Sequence, residues 1–330
     1  MNSTEPLKRL AQLFLVVIGS TFLVSLLIRL LPVGLEDIYV VNPDPVGRAK
    51  EIHNLGLDLN PFAFYFRWLN GFFHGDFGSY VYPGPTFEPV SEHITRTLPV
   101  TLQLIFYVQF VALAFAIPLG LVSAYKVGTR VDRIISNGLF IFSSIPSFVV
   151  ALLLAFYIGV KLGWVPPLGY ARPICSAADL ESATACGFSE HFKMMVLPVT
   201  ALSVPLIASY TRLLRTDVIA TLREDFVTMA ASKGLSNKRI LWTHVFRPSS
   251  ITLFTSAALN MGALVGGALV IETIFSIPGI GFEIALAIAS RQYFALQAYI
   301  AVIACGYVFF NVLIDLTVSR IDPRAKERRL

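Results

Sequence analysis

Charge is what this chain has least of. Asp, Glu, Lys and Arg make up 14% of its 330 residues, where a soluble domain carries roughly a quarter. With 55% hydrophobic residues and a mean hydropathy of +0.68, that scarcity excludes a large soluble core and points to an integral membrane protein. Histidine and cysteine are scarce too. His53, His74, His93, His191 and His244 are scattered over connecting segments, there is no His-Glu-x-x-His, and the three cysteines form no cluster at metal-ligand spacing, so no metal site is expected. A Gly-x-x-x-x-Gly-Lys-Ser/Thr phosphate loop is missing, which excludes ATP hydrolysis by that device. Nothing places a nucleophile opposite a base within the apolar segments, so the chain is not expected to be an enzyme.

What the chain does have is length of apolar run. Six segments, near 10–31, 98–125, 134–160, 194–214, 251–275 and 296–318, are long enough to cross a hydrocarbon core of about 20 helical residues. Pro118, Pro146 and Pro198 fall inside three of them, which a bundle tolerates when neighbours satisfy the freed backbone groups. Most Lys and Arg side chains fall on the N-terminus, 126–133, 212–247 and the C-terminal tail. The positive-inside rule therefore puts these connections and both termini in the cytoplasm. The first run is longer than a signal-peptide core, has no small-residue cleavage site, and is read as a retained span; Arg29 near its outer end can snorkel to the interface. Residues 1–97 thus read as one span plus an extracytoplasmic segment. That segment is rich in turn residues (Asn42-Pro43-Asp44-Pro45, Pro83-Gly84-Pro85) and in aromatics such as Phe72, Phe73, Phe77, Tyr80 and Tyr82, as suits an ordered lid at the membrane interface. Residues 98–330 read as a five-helix core.

One stretch of that core is long, polar and basic yet helically patterned: 215–248. Phe226, Met229 and Ala230 recur at helical spacing, Gly234 can take the left-handed conformation that ends a helix, and Ser236 can cap the next one. Ile240, Leu241, His244 and Val245 then line one face. The pattern is helix, sharp turn, helix, with Lys233, Lys238 and Arg239 at its rim. Two readings stand at this point: a knob that enters a groove on another protein, or a solvated loop folded back on itself.

Other residues stand out singly. Ser143, Ser144 and Ser147 surround Pro146 and suit close helix packing or a polar path. Cys175 and Cys186 lie in an outer connection where a disulfide is permitted, the alternative being free thiols; Cys305, in the last apolar run, reads as a small packing residue. Gly262, Gly266 and Gly267 thin one face of the fifth span. Glu272 is a carboxylate in or near the membrane, either functional or paired at a helix terminus, and Asp315 is expected to pair with Arg320. Self-powered transporters show repeated halves with broken helices; no convincing internal repeat appears here, so a secondary transporter or channel is the weaker alternative.

The run Ala230-Ala-Ser-Lys-Gly-Leu-Ser236 followed by His244-Val-Phe-Arg247 resembles the coupling motif of ABC-importer permeases of the oligopeptide/dipeptide family. Leu98-Pro-Val-Thr-Leu102, Ser144-Ile-Pro-Ser-Phe148, Glu272-Thr-Ile-Phe-Ser-Ile-Pro-Gly-Ile-Gly281, and Asn311 and Asp315 with Asp322-Pro-Arg324 resemble further blocks in the same order. Gly56-Leu-Asp58 and Gly75-Asp-Phe-Gly-Ser79 resemble its outer segment. The chain departs from the family at Met229 to Ser232, and 171–188 has no counterpart in it.

The resemblance implies an all-α, six-span, type I importer permease fold in the cell membrane, with a cytoplasmic coupling loop at 215–248. It implies a second, usually non-identical permease, two cytoplasmic ATP-hydrolysing subunits that hold ATP and Mg, an external binding protein, and no cofactor or nucleic acid on this chain. Asp225, Met229, Ala230, Gly234, Leu235 and His244 would couple to an ATPase, with Gly234 making the turn and Met229 and Ala230 filling its groove. Glu272, Ser143 and Ser147 are the candidates for the substrate pathway. Oligopeptides or dipeptides are the expected cargo, with a nickel chelate or glutathione as alternatives within the same machinery.

Overall fold

The computed structural model describes the backbone of residues 4–30, 36, 39, 40, 44–81, 87–175 and 186–321, with side chains between 14 and 313 except 81 and 87. The expected pairing of Asp315 with Arg320, the residues 322–324 and the turns at 42–43 and 83–85 lie outside what is described. Among the described residues, eleven helices and one hairpin follow in order. They are α1 (Thr4–Arg29), α2 (Pro45–Leu55), α3 (Pro61–Phe73), β1 (Ser79–Val81), β2 (Phe87–Pro89), α4 (Val90–Tyr125) and α5 (Arg130–Ser143). Then come α6 (Ser147–Lys161), α7 (Phe188–Thr221), α8 (Asp225–Ser232), α9 (Asn237–Phe275), α10 (Ile280–Ala289) and α11 (Tyr293–Ile321).

All six expected apolar runs fall on helices. Among the described residues α4, α7, α9 and α11 are long and apolar enough to cross a membrane, α5 with α6 forms a bent fifth candidate, and Phe14–Arg29 of α1 is apolar but shorter. Three expectations change. The third span is two helices that meet at 94°, because Pro146 has no N–H to donate and disfavours helical geometry at Ile145. The fifth begins at Asn237, not in the 250s, and passes through a π-helical stretch at Ile240–Val245. A further short helix, α10, precedes the last span.

The chain forms two compact units. The first comprises Met1–Thr101 and Pro278–Val308. Its short helices are locally specified: Asp44 caps α2 by accepting from Gly47 N at 3.0 Å, and Asn60 caps α3 by accepting from Ala63 N at 2.8 Å. Each helix has proline in its first turn, where a missing N–H costs nothing. Helix α3 packs along α1. Tyr65 Oη donates to Ile18 O and meets Thr21 Oγ1 at 2.8 Å, while Phe62 stacks on Phe22 and Tyr65 meets the same ring edge-on. Arg29 does not simply snorkel: it donates to Leu59 O and Gly56 O and lies over the Phe64 ring. In the hairpin Tyr80 stands opposite Glu88. Thr101 Oγ1 accepts from Ile280 N at 2.9 Å, anchoring the start of α10.

The second unit comprises Leu102–Ile277 and Phe309–Leu330. Helix α7 is its centre, with α5, α6 and α9 packed on it. Helix α4 approaches α7 so closely that a Cβ on Gly120 would stand 3.0 Å from Leu214, which explains glycine there. At mid-length Gln109 of α4 exchanges hydrogen bonds with the fully buried Tyr210 of α7, satisfying two polar groups that an apolar environment would otherwise penalise. Cys175 and Cys186 are joined in a disulfide just before α7, their Cα atoms 5.2 Å apart.

Candidate functional site

Helix α7 ends at Thr221, and after a short turn α8 runs from Asp225 to Ser232 with Asp225 in its first turn. An acidic residue there opposes the partial positive charge of the free N–H groups. The exit from α8 is fixed by backbone bonds: Gly234 N donates to Ala231 O at 2.9 Å and Leu235 N to Ala230 O at 3.4 Å. Gly234 has φ +77, the left-handed geometry that closes this kind of helix end. Ser236 then precedes α9, but its side chain makes no capping bond, contrary to the expectation from sequence.

The resulting knob has two distinct faces. Its inner face belongs to the bundle: Val227, Ala230, Ile240 and Val245 are buried in one core with Ala112, Ala116, Leu121, Tyr210, Leu214 and Leu253, and Leu235 and Leu241 pack against it. Ile240, Leu241, His244 and Val245 thus form the expected face, with His244 half-buried in the π-helical stretch of α9. Ala230 is 7% exposed and packs into the chain's own core. The outer face carries Phe226, Met229 and Trp242, exposed by 43%, 58% and 47%. Arg223, Asp225, Lys233, Lys238 and Arg239 are exposed around them.

Polar bonds brace the knob to three helices. Ser249 Oγ donates to Thr221 Oγ1 at 2.8 Å and Thr252 Oγ1 to Asp217 Oδ2, joining the legs α7 and α9. Asn237 Nδ2 donates to Tyr125 Oη at 3.0 Å, joining α9 to the end of α4. The strongest brace is an ion pair. Arg215 of α7 donates through Nε to Asp132 Oδ1 and through Nη2 to Asp132 Oδ2, both at 2.8 Å. Asp132, in the first turn of α5 and 5% exposed, also accepts from Ser123 Oγ at 2.6 Å and Gly128 N at 2.9 Å. Sequence reading missed this pair; its only trace was a single acidic residue inside the basic 126–133 connection.

The remaining candidates lie elsewhere on the unit. Ser143 is exposed and bonds to Phe140 O at 2.9 Å, ending α5, while Ser147 is half-buried at the start of α6. Glu272 is fully buried near the end of α9 and is partnered; its carbonyl also accepts from Ile277 N at 2.9 Å as the helix closes. Neither serine belongs to the knob.

Residues 116–327 match the family model described as binding-protein-dependent transport system inner membrane component. Relatives include a dipeptide transport system permease protein of Alkalihalophilus pseudofirmus, 30% identical over 97% of this chain and 98% of that one. A di/tripeptide transport system permease protein of Pseudomonas aeruginosa is 29% identical over 98% of each. Among solved structures, an inward-facing methionine ABC transporter matches with a TM-score of 0.54 at 14% identity, covering 70% of this chain and 96% of that chain.

Proposed function

The chain belongs to the family of binding-protein-dependent transport-system inner-membrane components, and from that premise we propose that it is a peptide-carrying permease driven by separate ATPase subunits through the α8–α9 knob. The relatives named for dipeptide and di/tripeptide transport support the cargo. The observation that carries the coupling role is the two-faced knob: its inner face is continuous with the bundle core, while Phe226, Met229 and Trp242 are exposed, as are the charged groups of the same segment. Two aromatics and a flexible thioether exposed on a basic helical knob suit an apolar groove on an acidic-rimmed partner. Because the inner face has no independent packing, a displacement of the knob displaces α4, α7 and α9 together. ATP binding and hydrolysis in the partner would bias a two-state bundle through this contact. Substrate would arrive from an external binding protein and pass beside a second permease.

The disulfide supports an orientation. Helix α7 has 34 residues, about 50 Å of helix, with the Cys175–Cys186 bridge before its start and the knob after its end. Disulfides persist in oxidising compartments, so the bridge belongs outside and the knob in the cytoplasm, in agreement with the distribution of Lys and Arg.

Gly234→Val tests the coupling role. Open space surrounds the Gly234 Cβ position, so the substitution acts through backbone strain alone, at least about 1–2 kcal/mol. ATP-dependent peptide uptake by the assembled system is expected to fall about tenfold or more at unchanged membrane abundance, a factor that such a strain supplies. Undiminished uptake, or failure of the wild-type chain to co-purify with ATPase subunits, defeats the reading.

A further inference from the structure

We propose that Asp132 and Arg215 are positioning residues for transport, an ion pair that carries displacement of the knob into the α4–α5 connection. The inference rests on the importer reading above. Apolar packing resists separation, but it is non-directional, and helices packed only by methyl groups can slide along one another. Here one side of the contact is smooth: Gly120 of α4 sets no side chain against the Leu214 side chain of α7. The residue after Leu214 is Arg215. Its two parallel N–H···O bonds to Asp132 are directional and oppose sliding.

The pair is placed where such resistance matters. Arg215 lies on the leg that leads to α8, whereas Asp132 gathers bonds from Ser123 at the end of α4, from Gly128 in the turn and from its own helix α5. A single carboxylate therefore ties three chain segments to one guanidinium. Asp132 is 5% exposed, so water cannot readily replace these bonds, unlike those of a surface pair. The Asn237–Tyr125 bond ties the other leg of the knob to the same end of α4. Both legs of the knob thus pull on the α4–α5 connection, one through an ion pair and the other through a neutral bond.

The test uses the complete transporter, with ATPase subunits, second permease and binding protein, reconstituted in liposomes. Peptide delivered per ATP hydrolysed is the readout, since a merely structural role lowers transport and hydrolysis together. In Asp132→Asn this ratio is expected to fall about tenfold or more, within the span of ordinary coupling energies, while hydrolysis continues. Arg215→Lys keeps the charge but loses the paired geometry, and its ratio is expected to lie between the two. If Asp132→Asn fails to assemble, Arg215→Lys and Ser123→Ala, which retain both charges, are expected to show the reduced ratio. Wild-type ratios in these variants, or a loss of hydrolysis in step with transport, overturn the inference alone. A wild-type complex without ATP-driven uptake defeats the importer reading and the inference with it.

Discussion

Asp132 and Glu283 are both carboxylates taken out of water, each in its own unit of the chain, and their surroundings differ in kind. Asp132 faces a guanidinium through two bonds of 2.8 Å and accepts from a hydroxyl and a backbone N–H as well. Glu283, 9% exposed, accepts from Tyr80 Oη at 3.0 Å, with Tyr299 Oη at 3.5 Å and His93 Nδ1 at 3.7 Å. Tyr80 and Tyr299 also bond to each other at 2.8 Å. The first cluster pairs permanent opposite charges in fixed geometry. The second is built from phenols and an imidazole, groups that donate or accept as their neighbours require. A guanidinium cannot adapt in this way, so the first cluster suits a mechanical link and the second a seam that locks the β1–β2 hairpin onto α10 and α11.

Asp132→Ala should break this comparison most strongly. It leaves Arg215 partly buried without its counter-ion, and removing one partner of a buried pair costs about 3–5 kcal/mol. The expected result is a large drop in the unfolding temperature of the detergent-solubilised complex and a drop in membrane abundance. A shift no larger than that of an exposed pair such as Arg96–Glu92 would show that Asp132 and Arg215 are no tighter than surface charges.

Tyr299→Phe should have a smaller effect. Tyr299 is fully buried and its hydroxyl meets both Tyr80 and Glu283, so the loss is that of a buried hydrogen bond, about 1–2 kcal/mol. Tyr80 still donates to Glu283 in the variant, and the ring still fills its place. Thermal unfolding of the same preparation measures it; a change as large as that of Asp132→Ala would mean that the phenols form a cooperative unit and not a set of replaceable donors.

The two regions were unequally legible in the sequence, for physical reasons. Local chemistry was readable: Gly234 in its left-handed turn follows from the lack of a Cβ, and the break at Pro146 from a missing donor. The angle of that break was not readable, because packing of α5 and α6 against α7 determines it. The resemblance pairs Ala230 with Met229 at a partner's groove, yet a methyl group has no strong preference for either face, and here Ala230 is buried in the core of α4, α7 and α9. The Asp132–Arg215 pair joins positions 83 residues apart, and Tyr80 and Glu283 are 203 apart. Hydrophobic periodicity carries no information about which charges meet at such distances. The family resemblance supplied the order of the blocks, and with it the role proposed for the knob, but it named none of these four residues.

The smallest expected effect sharpens the comparison most, because it applies one chemical change to both sites. In Glu283→Gln the amide oxygen, standing where Oε2 stands, still accepts from Tyr80, and Tyr299 keeps its bond to Tyr80. The phenol bonds survive the change, so stability should change by less than about 1 kcal/mol. The same change at Asp132 places an amide donor among the Arg215 N–H groups, the Gly128 N–H and the Ser123 hydroxyl, and the guanidinium cannot turn to accept. Unfolding temperatures of the two amide variants, measured side by side, should therefore differ clearly, with Asp132→Asn the lower. Equal temperatures would mean that charge matters as little at Asp132 as at Glu283, and the distinction between a fixed link and an adaptable seam would fall.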